Sequence, residues 1–425
     1  MAPDGTNHNR VKAISFCYHQ SMTPGPYSLN LRHLRALSAI VERGNMSAAA
    51  QAVNLSQPAL TQGLAKLERQ LGTILFDRRS DGVSATAAGL ALAERATAAF
   101  AHLTTATRGA ARRTGRGFAL PEMLMTASQL QAFLALADAG SFAAAAVATG
   151  VSQPALHRAV RDLEQICGVA IAERRGRGVV LTAAGRRLAR GVRLAAREIG
   201  AGIAELGSDQ QAGRMAIGAM PLSRALLLPR AIAAFVGSTP RAVIDVAEGS
   251  WRELVEPLRD GIIDLMVGAL RDEPPPGLEQ RALFEDRLVI IARVGHPLAA
   301  IVEPTLDDFA EYGWVVGQVD TPLRAQWDTL FAGRPAPAAP IECGSVMVIR
   351  GVLRDTDLLT LLSPDQVALE VAGGLLTTIG RPLAHGVRTI GITTRIGWRP
   401  TAAQARFIAL LEQFARPGPL SGSAG

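Results

Sequence analysis

Cysteine, lysine and long apolar runs are all scarce in this chain of 425 residues, and each scarcity excludes something. The three cysteines, Cys17, Cys167 and Cys343, are odd in number and far apart. They offer neither a disulfide framework nor a metal-spaced cluster and read as reduced cytosolic thiols. No run reaches roughly 18 uninterrupted apolar residues, so no membrane span and no membrane partner are expected. Residues 1–30 lack the basic-then-apolar order of a secretory leader, which points to the cytoplasm. Catalytic signatures are missing too: there is no phosphate loop, no Gly-x-Ser-x-Gly turn and no dinucleotide fingerprint. His33, His102, His157 and His385 have no cysteine or carboxylate at metal-ligand spacing. Neither an enzyme nor a metal or other cofactor is therefore expected. A hydrophobic content of 48% with 19% charged residues suits a globular chain with more than one core. The length predicts two to four domains.

Charge is unevenly spread. Residues 1–206 carry 24 Lys+Arg against 13 Asp+Glu, a net of +11, and residues 207–425 carry 20 against 24, a net of −4, which together give the +7 of the chain. Lys12 and Lys66 are the only lysines, so an arginine-rich proteome could explain some of the basicity. That bias would act on both halves, and it did not. A basic half favours a polyanion, because neutralised phosphates release condensed counterions.

The basic half repeats itself at an offset of 96. Ser-Gln-Pro-Ala-Leu occurs at 56–60 and at 152–156. Gly44 matches Gly140, Leu67-Glu68 matches Leu163-Glu164, Arg78-Arg79 matches Arg174-Arg175, and the run from Thr86 to Gly89 matches that from Thr182 to Gly185. About 24 of the 56 positions from 34 to 89 are identical to their partners without a gap, which reads as a duplicated domain. Each copy begins with a helix whose apolar residues recur at helical spacing and which stops near Gly44 or Gly140. A short Ala-rich helix follows over Ser47–Val53 or Phe142–Ala148, and Asn54 or Gly150 supplies a turn. Ser56 and Ser152 then cap a third helix with Pro58 and Pro154 in its first turn. A two-stranded wing closes each copy. This is the layout of a winged helix-turn-helix, whose third helix enters the major groove of duplex DNA.

Each copy resembles the DNA-binding domain of the LysR-type transcriptional regulators. The likeness rests on Gly140-Ser141-Phe142 with its following alanines, Ser-Gln-Pro-Ala-Leu, Leu-Glu-x-x-x-Gly, the wing arginines and Thr-x-x-Gly. Copy 1 departs at Asn45-Met46, copy 2 at Ala172 where copy 1 has Phe76, and two copies are themselves unusual for that family. The residues expected on base edges are Gln57, Pro58, Thr61 and Gln62 in copy 1, and Gln153, Pro154, His157 and Arg158 in copy 2. Gln pairs with adenine, Arg with guanine, and Pro or Thr meets a thymine methyl. Arg78, Arg79, Arg174, Arg175 and Arg177 are expected on phosphates, the bland alternative being a solvated turn. Ser56 and Ser152 either touch phosphate or only cap their helices. Copy 2, with Arg161 besides these, is the more basic reader and is expected to supply more of the affinity. The helical runs 87–113 and 183–206 correspond to the family's dimerising linker helix, or else pack on their own domains.

In residues beyond 207, strand and helix patterns alternate, which argues for parallel α/β units. The segments Leu258–Leu265, Leu283–Asp286 and Gly295–Leu298 resemble the LysR-type effector-binding domain, a periplasmic-binding-protein-like pair of lobes. His296 then reads as a turn residue. The family's effector site maps onto Ser223 and Arg224, Gly317 and Thr321, and Ser345 with Val346. Ser223 beside Arg224 suggests a carboxylate or other anion, unless Ser223 only caps a helix and Arg224 faces solvent. The expected fold class is thus two all-α winged helix-turn-helix domains with linker helices, followed by a two-lobed α/β effector domain. The expected bounds are 1–28 for a disordered extension or a start displaced to Met22, 29–90 and 125–186 for the winged domains, 91–124 and 187–209 for linkers, and 210–418 for the effector domain. Lobe I is expected over 213–293 and 376–415, and lobe II over 294–375. The resemblance implies a sequence-specific regulator with duplex DNA and a small effector as partners, RNA polymerase as a further candidate, and assembly as a homodimer or homotetramer. The competing reading is an architectural DNA-binding protein that ignores ligand.

Overall fold

Helix α1 (Leu31–Arg43) starts where the Asn30 side chain accepts the Arg32 amide and stops at Gly44, whose left-handed backbone (φ 73°) closes the last turn onto Ile40. The computed structural model describes residues 24–79, 82–108, 117–176, 178–207, 214–220, 227–319, 321–383 and 387–415. Met22, Arg177, Ser223 and Arg224 therefore lie outside the described residues. The chain divides into two compact units, the first built largely from residues up to 211 and the second largely from 212 onward.

In the first unit, α1 is followed by α2 (Met46–Ala52), α3 (Gln57–Leu71), the ribbon of β1 (Phe76–Arg79) and β2 (Gly82–Ala85), and the long α4 (Ala87–Thr107). The same order returns as α5 (Ala127–Ala139), α6 (Phe142–Thr149), α7 (Gln153–Cys167), β3 (Ala172–Arg175), β4 (Gly178–Leu181) and α8 (Ala183–Leu206). Both ribbons are antiparallel, and their pairings are equivalent at the offset of 96: Arg79 faces Gly82 and Arg175 faces Gly178. Turn chemistry matches as well, since Asn54 (φ 53°) and Gly150 (φ 69°) both take the left-handed conformation between second and third helix. The described residues reach into the expected extension: Ser28 donates to the Gly25 carbonyl and Tyr27 packs on the core.

One hydrophobic core runs through both modules, from Leu34, Leu37 and Leu67 to Phe133, Leu163 and Ile171. It is continuous because α4 lies along α8. A Cβ on Gly191 would meet the Ala106 Cβ at 2.4 Å, and one on Gly202 would meet the Arg95 Cβ at 3.1 Å, so the two helices run antiparallel. The two long helices thus pack on each other as well as on their own modules.

The second unit holds two five-stranded sheets among the described residues. The first sheet has the order β6 (Val243–Glu248), β5 (Arg214–Ala219), β7 (Leu265–Ala269), β14 (Val387–Arg395), β8 (Leu278–Arg287). The second has β11 (Ile341–Glu342), β10 (Trp314–Val316), β12 (Leu359–Leu362), β9 (Val289–Arg293), β13 (Leu376–Ile379). The helices are α9 (Leu227–Ser238), α10 (Trp251–Arg259), α11 (Leu306–Ala310), α12 (Pro322–Leu330), α13 (Val346–Arg354), α14 (Ala368–Ala372) and α15 (Ala402–Ala415). The expected parallel pattern holds for β6-β5-β7 and β11-β10-β12, and the remaining pairs are antiparallel. Two expected lobe bounds are corrected by this pairing. β9 and β13, assigned to lobe I, both lie in the second sheet. The chain crosses on extended strands, β8 running into β9 and β13 leading to β14, and a strand that follows a crossing pairs antiparallel without a helix.

Candidate nucleic-acid interface

Each third helix is seated by the same devices. Leu60, Leu64 and Leu67 bury one face of α3, and Leu156, Val160 and Leu163 bury the matching face of α7. Behind them a carboxylate ties helix to wing: Glu68 Oε1 accepts the Leu75 amide at 2.8 Å, and Glu164 Oε1 accepts the Ile171 amide at 3.0 Å. Thr86 and Thr182 cap the long helices by accepting the Gly89 and Gly185 amides, each at 3.0 Å. Those glycines are required by space, because a Cβ at Gly89 would lie 2.1 Å from the Leu75 carbonyl oxygen and one at Gly185 would lie 1.9 Å from that of Ile171. The sequence motifs Leu-Glu-x-x-x-Gly and Thr-x-x-Gly are thus the parts that fix the wing against the third helix.

With its buried face fixed, each helix turns its first residues outward. Gln57, Pro58 and Gln62 are exposed in copy 1, as are Gln153, Pro154 and Arg158 in copy 2. Thr61 is half-buried and its hydroxyl donates to the Gln57 carbonyl at 3.0 Å. His157 is stacked on Phe142 with ring centroids 3.6 Å apart, which holds the imidazole flat against α6. The two serines differ. Ser56 caps α3 by accepting the Ala59 amide at 3.3 Å, whereas Ser152 holds the same place and makes no capping bond with its hydroxyl. Arg174 and Arg175 are exposed on β3, and Arg174 borders one open groove with Gln153, His157 and Arg158. The β1 strand places Arg78 and Arg79 in the equivalent positions of the first wing.

Where Phe76 is buried under the first wing, Ala172 leaves a hollow of about 260 Å³ in the second, lined by Phe142, His157, Val160 and Val179. Sequence reasoning missed Arg95 altogether. It is buried at 2% exposure on α4 and donates to Glu198 Oε2 at 2.9 Å and to Glu205, both on α8. Hydrogen bonds to these carboxylates hold the guanidinium charged, with its pKa above the usual arginine value despite burial. Arg35 was missed too. It donates to the carbonyls of Glu122 and Met123 and lies 4.5 Å over Phe100. Burial pulls its pKa down to about 10. No signal in the sequence sets these two arginines apart from surface ones.

In the second unit, Gly317, Thr321, Ser345 and Val346 come together at the carboxyl ends of the parallel neighbours β10 and β11. Thr321 caps α12, accepting the Arg324 amide at 3.3 Å, and Ser345 caps α13, accepting the Val348 amide at 3.5 Å. A Cβ on Gly317 would lie 2.8 Å from the Thr321 hydroxyl oxygen. Two helix N-termini therefore open at one end of the sheet, where unsatisfied amides favour an anion. His296 is a turn residue: its Nδ1 accepts the Leu298 amide at 3.1 Å and its Nε2 lies 3.2 Å from the Asp357 carbonyl oxygen. Among the described residues no group of His, Cys, Asp and Glu could hold a metal ion, and no helix is long and apolar enough to cross a membrane.

Residues 31–90 and 127–186 each match the model of the bacterial regulatory helix-turn-helix proteins of the lysR family, and residues 208–416 match the LysR substrate binding domain. The chain is 31% identical over 389 residues to the HTH-type transcriptional regulator GalR of Pseudomonas putida, which covers 90% of this chain and 97% of that protein. It is 34% identical over 305 residues to the SDS degradation transcriptional activation protein of a Pseudomonas species, covering 69% and 98%. Among solved structures, a full-length OxyR variant from Pseudomonas aeruginosa matches with a TM-score of 0.54 at 24% identity, over 69% of this chain and 95% of that one. Full-length LysG of Corynebacterium glutamicum matches with a TM-score of 0.51 at 21% identity, over 68% and 98%.

Proposed function

This chain belongs to the LysR family of DNA-binding transcription regulators, and from that premise we propose that both of its winged modules read duplex DNA under the control of a small anionic effector. The observation that carries the reading is the repeated presentation of Gln57, Pro58 and Gln62, and of Gln153, Pro154 and Arg158, on exposed first turns whose buried faces are fixed alike. The modules, residues 29–90 and 125–186, are duplicates of one domain. Gln57, Gln62, Gln153 and Arg158 pair with base edges, Pro58, Thr61, Pro154 and His157 make apolar or stacking contacts there, and Ser56, Ser152 and the wing arginines hold phosphates. The effector domain is a periplasmic-binding-protein-like pair of lobes whose effector site includes Gly317, Thr321, Ser345 and Val346, and the family resemblance adds Ser223 with Arg224 to it. The protein works in the cytoplasm as a homo-oligomer, and RNA polymerase is the partner that a regulator of transcription must meet.

Footprinting of the purified full-length protein on fragmented genomic DNA tests the reading. Discrete sites are expected, with Gln57→Ala and Arg158→Ala each erasing a different part of the footprint. Uniform coating that disappears with salt would instead mark an architectural binder. Discrete footprints unchanged by either substitution would remove the two helices from the interface.

A further inference from the structure

We propose that one chain is a complete two-half-site reader: α4 and α8 pair within the chain as linker helices of two subunits would, and adjoining half-sites of unlike sequence are read in cis. The inference rests on the DNA reading proposed above and adds which modules act together and on what kind of operator.

The pairing has an internal two-fold character. The buried residues of α4 are Leu92, Ala93, Arg95, Ala96, Ala99, Leu103 and Thr107 beside the capping Gly89, and those of α8 include the residues 96 further on in every case. The close approaches obey the same symmetry. Ala106 faces Gly191 and Arg95 faces Gly202. Adding 96 to one member and subtracting it from the other turns the first pair into the second. A local two-fold axis therefore passes between the helices near residues 100 and 101, and it relates the first module to the second.

The departures from symmetry say which helices belong together. Arg95 corresponds to Gly191, while its acceptors Glu198 and Glu205 correspond to His102 and Gly109. Only the mixed pair sets the guanidinium against carboxylates. Two α4 helices from two chains would bury Arg95 opposite Ala106 with His102 in the acceptor's place. Two α8 helices would set Gly191 against Gly202, leaving a gap and two uncompensated carboxylates. A charged network satisfied in one pairing alone specifies that pairing.

The segment just before the second module is tied to both modules. The Phe118 amide donates to the Ile166 carbonyl on the second module at 3.2 Å, and Thr107 donates to Glu122 at 3.3 Å while Arg35 grips the Glu122 and Met123 carbonyls on the first. Two readers related by a two-fold axis face two half-sites, about one helical turn of DNA or a multiple apart. The readers are unlike, Thr61-Gln62 against His157-Arg158, so the half-sites are unlike.

The full chain is tested on a fragment taken from its own footprint. A chain carrying Gln57→Ala with Gln62→Ala, and a chain carrying Gln153→Ala with Arg158→Ala, should each lose about tenfold or more in affinity and protect opposite halves. Mixing the two chains should restore nothing, and inserting about half a helical turn, about 5 bp, between the halves should weaken the native chain as much as either variant. Restoration on mixing would overturn the proposal, because it would mean that the two halves are read by different chains. So would an operator that is a perfect inverted repeat weakened equally in both halves by each variant. A second arm needs no DNA. Spin labels at Ala101→Cys and Arg186→Cys, in a chain with Cys17→Ser and Cys343→Ser, should report a single distance that survives dilution into excess unlabelled chain. Its loss on dilution would place the helix pair between chains. A chain that bound no discrete site would defeat the DNA reading itself, and the labels would still decide the pairing.

Discussion

Arg95 is the residue on which the first unit should break most readily. Its side chain is 2% exposed, and its acceptors Glu198 and Glu205 are 12% and 25% exposed. Removing one member of a buried pair costs about 3–5 kcal/mol, because the carboxylates left behind are uncompensated. Water reaches Glu205, so Arg95→Ala should cost about 3 kcal/mol, the lower end of that range. Replacing the whole network is a different perturbation. Arg95→Met with Glu198→Met and Glu205→Leu removes the charges together and should return stability to within about 1 kcal/mol of the native protein. Urea unfolding separates the units cleanly, since all four tryptophans, Trp251, Trp314, Trp327 and Trp398, lie in the second. Far-UV circular dichroism follows both units and tryptophan fluorescence follows the second alone. The early loss should therefore appear in the helical signal with the fluorescence transition unmoved. A cost below about 1 kcal/mol for Arg95→Ala, or a triple variant as weak as the single one, would refute the reasoning.

Other expectations concern the wings and the second unit. Gly89→Ala and Gly185→Ala each force a methyl against a backbone carbonyl and should cost about 2 kcal/mol, read as a lower midpoint in the helical signal. Ala172→Phe should occupy part of the hollow of about 260 Å³ under the second wing and gain about 1 kcal/mol; a loss would show that Phe142 and His157 already occupy the space. Neutralising Arg174, Arg175 and Arg177 should flatten the dependence of log Kd on log salt by about one unit for each phosphate no longer neutralised, and by more than neutralising Arg78 and Arg79. Burial holds the His296 imidazole below its ordinary value of 6.5, so the folded state binds fewer protons there than the unfolded one. The second unit should then be indifferent to pH above 6.5 and lose stability on acidification through that value, levelling off below the lowered folded value. Tryptophan-detected melting of His296→Gln should lack that slope, and an unchanged slope would assign it elsewhere.

The offset of 96 made much of the first unit legible, because caps, turns and helix faces are local properties that repeat with the residues that encode them. Ser56, Gly44 and Thr86 sit where their chemistry requires. The second unit was legible where a strand is followed by a helix, as at β5, β6 and β7. It was misread where the chain crosses between sheets, because β9 and β13 look like any short apolar run until their partners are known. Arg95 and Arg35 were invisible for a related reason. Burial of an arginine depends on acceptors more than 80 positions away, Glu198 and Glu205 for one and the Glu122 carbonyl for the other.

The positions at which the two copies disagree carry a different kind of information from those at which they agree. Identity at 56–60 and 152–156, at Glu68 and Glu164, and at Gly89 and Gly185 preserves one fold twice. Had the copies diverged without constraint, their differences would be expected on solvated faces. Several fall instead on packed or presented positions. Arg95 against Gly191 lies in the helix pair, Phe76 against Ala172 lies under the wing, and Thr61-Gln62 against His157-Arg158 lies on the exposed turn of the third helix. The first difference makes the two long helices complementary rather than interchangeable, and the last makes the two readers unlike. A symmetric pair of subunits can have neither property, since every residue on one side recurs on the other. On the DNA reading proposed above, joining both modules in one chain removes that restriction and lets one chain address an operator without a palindrome.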